Sequence, residues 1–137
     1  MESLKHKTVL ITGATGGFGQ EFVKQLYAQG AYFILTGRDT AKLDNIVKQL
    51  SLMTSGGKII GTINSDLSDR NGCEQLYIAC KKLTPNLDIL INNAGIILYG
   101  KFYEVQIDKW EQLIELNLLS TMRLTYLFLP DMLKREQ

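Results

Sequence analysis

The chain has 137 residues, 45% of them hydrophobic and 21% charged, with a net charge of +1. That is enough for one domain with a real core, and residues 1–137 are read as a single one. The balanced charge excludes the broad basic field of a nucleic-acid-binding protein and the acidic tail of a solvating segment.

Charge precedes the first apolar run, but Val9-Leu10-Ile11 is too short for a secretory leader and meets Gly13. Thr8 to Ile11 therefore reads as a buried strand. Gly17 to Gln29 reads as a helix with Phe18, Phe22 and Leu26 on its apolar side, stopped by Gly30. Tyr32 to Leu35 is a second buried strand. Asp39 or Thr40 caps a helix whose apolar face is Leu43, Ile46, Val47 and Leu50. After the Ser55-Gly56-Gly57 turn, Lys58 to Ile63 is a third strand. Asp69 to Leu83 is helical until Pro85-Asn86 breaks it. Asp88 to Ile91 is a fourth strand, and a long helix runs from about Asp108 to Lys134.

Cys73 and Cys80 lie two turns apart on the third helix and, with His6, are too few for a disulfide framework or a metal cluster. Free thiols and no metal are expected. The stretch from Leu113 to Leu129 is interrupted by Glu115, Asn117 and Arg123, so no membrane span is expected. A cytoplasmic protein without a nucleic-acid or membrane partner follows. Strands alternating with helices of this length imply an α/β fold: a doubly wound parallel sheet with helices on both faces, in three layers.

The first strand runs into Thr12-Gly13-Ala14-Thr15-Gly16-Gly17-Phe18-Gly19 and then straight into a helix. Glycines allow a sharp turn and the close approach of a pyrophosphate, and the helix start offers it unpaired N–H groups. Gly13, Thr15, Gly16, Gly17, Phe18 and Gly19 are therefore candidate cofactor-binding residues.

The glycine spacing at 13, 17 and 19, with Thr12 in front, resembles the cofactor motif of the short-chain dehydrogenase/reductase family. Asp66-Leu67, past the third strand, resembles the family's acidic contact to adenine and its neighbour. Asn92-Asn93-Ala94-Gly95 resembles the signature that steadies the sheet and lines the cofactor site, which adds Asn93, Ala94 and Gly95. Asn117 resembles the asparagine of the family's catalytic tetrad; read by itself, it is a mid-helix residue bonding locally. The resemblance covers the whole chain. It implies a Rossmann-type sheet in the order 3-2-1-4 and a nicotinamide cofactor.

An acid after the second strand would select NAD through the ribose 2′-hydroxyl. Here Gly37 stands in that position and Arg38 follows, and an arginine can hold a phosphate bidentately. NADP(H) is expected over NAD(H). Asp39 either pairs with Arg38 or caps the next helix.

The family's serine, tyrosine and lysine would lie beyond the long helix, and the sequence stops at Gln137. The chain is thus expected to be the cofactor-binding part of a truncated fold, inactive alone. One Tyr-x-x-x-Lys occurs, Tyr77 to Lys81, without catalytic context. It reads as a half-buried packing tyrosine and a solvated lysine. Tyr99, Phe102 and Tyr103 read as packing residues that by position could border a substrate pocket.

The apolar fourth strand is expected at a sheet edge. The long helix carries more apolar residues than one face can hold, Leu118 and Met122 among them, so a homo-oligomer is expected. Two functions remain open. One is the cofactor-binding part of an NADP(H)-dependent oxidoreductase of a carbonyl or alcohol; the other is a module that binds a nucleotide or a partner without turnover.

Overall fold

The computed structural model describes residues 3–135. Met1, Glu2, Glu136 and Gln137 lie outside the described residues, and with them both ends of the expected 1–137 span. The elements run β1 (Thr8–Ile11), α1 (Gly17–Ala28), β2 (Tyr32–Gly37), α2 (Thr40–Ser51), β3 (Lys58–Asn64), α3 (Arg70–Leu83), β4 (Ile89–Ile91), α4 (Ile107–Ile114), a π-helical turn (Glu115–Leu119) and α5 (Ser120–Leu133). The four strands are parallel, in the order β3-β2-β1-β4.

Strand periodicity builds two cores. Successive side chains point to opposite faces. Val9, Ile11, Phe33 and Leu35 therefore meet Val23 of α1 and Leu43, Ile46 and Leu50 of α2. Leu10 and Ile34 meet Cys73, Leu76 and Cys80 of α3, with Leu116, Leu124 and Phe128. Central strands β1 and β2 are almost wholly buried. Each fully buried Leu, Ile or Phe contributes roughly 1.5–3 kcal/mol. β4 pairs on one side only, with β1, and its three residues stay half-exposed at the sheet edge.

Hydrogen bonds settle the helix starts. Asp39, not Thr40, caps α2: its Oδ1 accepts the Lys42 N–H at 3.0 Å. Asp69 caps α3 by accepting the Gly72 N–H at 2.7 Å. Each satisfies an N–H that the helix itself leaves unpaired.

Three expectations are corrected. The buried residues of α1 are Gly19 and Val23, with Leu26 packed against the core as expected, whereas Phe18 is 82% exposed and Phe22 44%. The close fit of Gly19 sets this rotation, because a Cβ there would lie 2.3 Å from the Gly13 carbonyl oxygen. Second, β2 continues to Gly37, two residues past Leu35, and Ser65 N–H bonds the Gly37 carbonyl at 3.1 Å. Third, the long helix is not uniformly α. Its π turn holds Asn117, and Arg123 reaches back across it to Glu115 at 2.7 Å.

The far end of α5 is tied to the base of the sheet. Arg135 pairs with Asp88 at 3.0 Å and donates to the Leu87 carbonyl, while Asp88 accepts the Thr8 N–H at 2.7 Å. From the end of α4 through the π turn and along α5 runs an exposed apolar stripe of Ile114, Leu118, Met122, Tyr126, Leu129 and Leu133. Among the described residues, no helix is long and apolar enough to cross a membrane.

Candidate functional site

The C-terminal ends of β1 and β4 are locked together by one side chain from each. Thr12 Oγ1 accepts the backbone N–H groups of Asn93 and Ala94, each at 2.9 Å. In return, Asn93 Nδ2 donates to the Thr12 carbonyl at 2.9 Å and to the Gly13 carbonyl at 3.0 Å. Thr12 is buried, so these bonds replace lost solvent contacts. They draw the two loops so close that a Cβ on Gly13 would stand 2.8 Å from Ala94 Cα. Gly13 also has φ +62°, the left-handed region where glycine carries no steric penalty.

A cleft of about 750 Å³ opens above this lock. Gly13, Thr15, Gly16, Gly17, Phe18 and Gly19 line one side, and Asn93, Ala94 and Gly95 another. Arg38 and Leu67, also expected from sequence, line it as well. The cleft sits at the carboxyl ends of the strands, where open α/β sheets bind ligands. Its volume is in the range of small-molecule and cofactor sites.

Two expected residues stand outside the lining. The Asp66 carboxylate accepts the Ser68 N–H at 3.0 Å and is exposed. Asn117 lies behind Gly95. Its Oδ1 accepts the Ile96 N–H and its Nδ2 donates to the Ile96 carbonyl, both at 2.9 Å. This paired contact satisfies both backbone groups of an irregular segment from a π turn, a helix irregularity common at functional sites. The bonding is therefore not local to the helix but spans 21 residues.

Other lining residues had no motif to announce them: Thr36, Ser65, Lys42 and Leu116. Among the described residues, Thr36 Oγ1 is the one buried side-chain oxygen with no hydrogen-bond partner. Lys42 had a faint signal, a cation in the first turn of a helix, where the macrodipole disfavours positive charge. Arg38 takes part in none of the ion pairs among the described residues. Asp39 does not pair with it and instead has Lys42 Nζ at 3.8 Å.

Tyr77 and Lys81 are fastened elsewhere. The Tyr77 hydroxyl donates to Asp131 Oδ2 at 3.0 Å, and Lys81 pairs with the same oxygen at 3.0 Å. Lys81 is thus paired rather than solvated. The hydrogen bond to Asp131 raises the Tyr77 pKa above 10.0, the wrong direction for a proton-accepting phenolate. Lys81 and then Tyr77 hold the Asp131 carboxyl below its ordinary range. Cys73 and Cys80 are free and buried, and burial pushes the Cys80 thiol up to about 11.

The aromatic residues after β4 are not packed inside. Tyr99 is 86% exposed and Tyr103 78%. Phe102 stacks on Trp110 at 5.2 Å, forming with Ile107 and Ile114 a separate apolar groove.

A family profile for short chain dehydrogenases matches residues 7–137. The chain belongs to the short-chain dehydrogenase family. The uncharacterised oxidoreductase YvaG of Bacillus subtilis (strain 168) is 30% identical over 135 residues, covering 98% of this chain and 49% of the relative. A metagenomic short-chain oxidoreductase solved in complex with NADP superposes with a TM-score of 0.89 at 26% identity, over 99% of this chain and 61% of that one. A short-chain dehydrogenase/reductase from Burkholderia phymatum solved with NAD also gives 0.89 at 26% identity, over 100% of this chain and 48% of that one. The chain spans about half the length of the curated relatives it matches.

Proposed function

We propose that the cleft holds a nicotinamide dinucleotide, NADP(H) in preference to NAD(H). In this reading residues 1–137 form the dinucleotide-binding domain of an oxidoreductase acting on a small carbonyl or alcohol substrate. The observation that carries the proposal is the Thr12–Asn93 lock, which sets two motifs distant in sequence on one cleft with Arg38 at its edge.

The residues present fit such a group. A Cβ on Gly17 would meet nothing within 4 Å, so open space lies above the start of α1. Thr36, whose buried hydroxyl has no partner among the described residues, and Arg38, which makes no ion pair among them, border the same cleft. The N–H groups at the start of α1 take the pyrophosphate, helped by the partial positive charge of the helix end. Leu67 borders the adenine end, with Asp66 beside it. Asn93, Ala94 and Gly95 border the nicotinamide end. Asn117 acts as a positioning residue by fixing the Gly95-Ile96 backbone. When bound, the nicotinamide supplies hydride transfer, and the protein supplies binding, orientation and electrostatics.

Similar solved structures include both NADP and NAD complexes, so the preference rests on Gly37 and Arg38. Glycine at 37 puts no carboxylate at the position that would hold a ribose hydroxyl, and Arg38, in no ion pair among the described residues, is available to a phosphate. The exposed stripe on α4 and α5 is proposed to face a second copy of the protein.

The test is a backbone amide NMR map of the chain titrated with NADPH. Shifts clustered at residues 13–19, 38 and 93–95 are expected. Shifts confined to the Phe102–Trp110 groove, or none, would contradict the proposal.

A further inference from the structure

Two cations stand at the start of α2, and the helix itself gives no reason for either. Arg38 precedes the Asp39 cap, and Lys42 occupies the third position of the first turn. A helix N-terminus carries partial positive charge and disfavours cations, so both residues cost stability locally. Both line the same wall of the main cleft, together with Asp39. Thr36, only 1% exposed and with its hydroxyl unpartnered among the described residues, borders that cleft as well.

The turn that carries them is held from the neighbouring strand. Asn64, the last residue of β3, donates from Nδ2 to the Arg38 carbonyl at 3.0 Å and to Thr40 Oγ1 at 2.9 Å. The backbone on either side of Asp39 is thereby fixed before any ligand arrives. Asp39 spends Oδ1 on the Lys42 N–H at 3.0 Å. Its Oδ2 stays 3.8 Å from Lys42 Nζ, a loose and solvent-exposed contact. Such a pair is worth little, and a doubly charged phosphate would outcompete it for the ammonium.

Resting on the NADP(H) reading, we propose that Lys42 is a second cationic ligand for the 2′-phosphate, acting beside Arg38. Asp39 tempers the selectivity of the pair, because its carboxylate repels the same phosphate. Arg38 offers a planar fork and Lys42 a mobile point charge, so one phosphate can use both.

The test is calorimetric binding of two probes to the 137-residue chain: adenosine 2′,5′-bisphosphate and 5′-AMP, which differ by the 2′-phosphate. The wild type is expected to prefer the bisphosphate. Lys42→Met is expected to weaken the bisphosphate about five- to tenfold and leave 5′-AMP unchanged, and Lys42→Arg to restore it. Asp39→Asn keeps the cap, since asparagine caps as well as aspartate. It is expected to tighten the bisphosphate about two- to fourfold. If Lys42→Met leaves the preference intact while Arg38→Met removes it, the proposal is overturned and the NADP(H) reading stands. If Lys42→Met weakens both probes equally, Lys42 acts on the fold or the general field, and the proposal is again overturned. If the wild type binds both probes equally, or neither, the NADP(H) reading fails and takes this proposal with it.

Discussion

Thr12 and Asn93 hold each other in both directions: the Asn93 N–H donates to Thr12 Oγ1, and Asn93 Nδ2 donates to the Thr12 carbonyl, each at 2.9 Å. The two residues lie 81 positions apart, so this exchange joins the ends of β1 and β4. Thr12→Val preserves shape but leaves two N–H groups, of Asn93 and Ala94, without their acceptor. An unsatisfied buried donor costs roughly 1–3 kcal/mol. Urea unfolding should show a loss of about 2–4 kcal/mol, with Thr12→Ser close to wild type. A Thr12→Val protein as stable as the wild type would remove the lock from the account.

Gly17 and Gly19 should respond oppositely to alanine. A Cβ at Gly19 would lie 2.3 Å from the Gly13 oxygen, whereas one at Gly17 meets nothing within 4 Å. Gly19→Ala should cost about 1–3 kcal/mol or more through overpacking. Gly17→Ala should be neutral or stabilise by up to about 1 kcal/mol, since alanine is the better helix former. Its methyl group enters the space proposed for the pyrophosphate, so NADPH affinity should fall about tenfold. Thermal melts paired with NADPH titrations check both halves.

An acid cannot simply be placed at Gly37 to recruit NADH. A Cβ there would stand 3.2 Å from both Thr15 Cγ2 and Thr15 Oγ1. Gly37→Asp alone should weaken both dinucleotides and destabilise by roughly 1–2 kcal/mol. Combined with Thr15→Ala, which clears that space, it should bind NADH more tightly than the single variant does. Fluorescence titrations of both variants with NADH and NADPH decide this.

Buried Cys80 makes stability fall at alkaline pH. Its thiol is pushed up to about 11 by burial, from 9.0 for a free thiol. The folded protein keeps a proton there that the unfolded chain has released, so stability is full below pH 9 and declines through about 11. The loss attached to this group is on the order of 2 kcal/mol. Tyr77 is shifted upward too and adds in the same direction above its ordinary pKa of 10.0. Cys80→Ala should flatten the slope of unfolding free energy between pH 9 and 11; an unchanged slope would assign it to other groups.

The alternation of strands and helices and the glycine turn were legible because each is written in local pattern, apolar runs and glycine spacing. The strand order came instead from the family resemblance, and the choice of Asp39 over Thr40 as cap from the hydrogen bond to the Lys42 N–H. The rotation of α1 was not legible, because it is set by how closely Gly19 meets a carbonyl of another segment. The same holds for the π turn, since the partner of Asn117 is a backbone 21 residues away. Tyr77 and Lys81 matched a catalytic spacing, and only the position of Asp131 on α5 explains them as a fastener. Lys42 was hidden for another reason: a surface lysine on a helix is ordinary until the cleft beside it is known.

Equilibrium titration of the 137-residue chain with NADPH and with NADH at one fixed ionic strength decides whether the cleft prefers NADP(H). Saturable 1:1 binding of both is expected, NADPH tighter by about tenfold or more, with the difference clearly reduced in Arg38→Ala. Equal affinity for the two, or a preference left unchanged by Arg38→Ala, would contradict it.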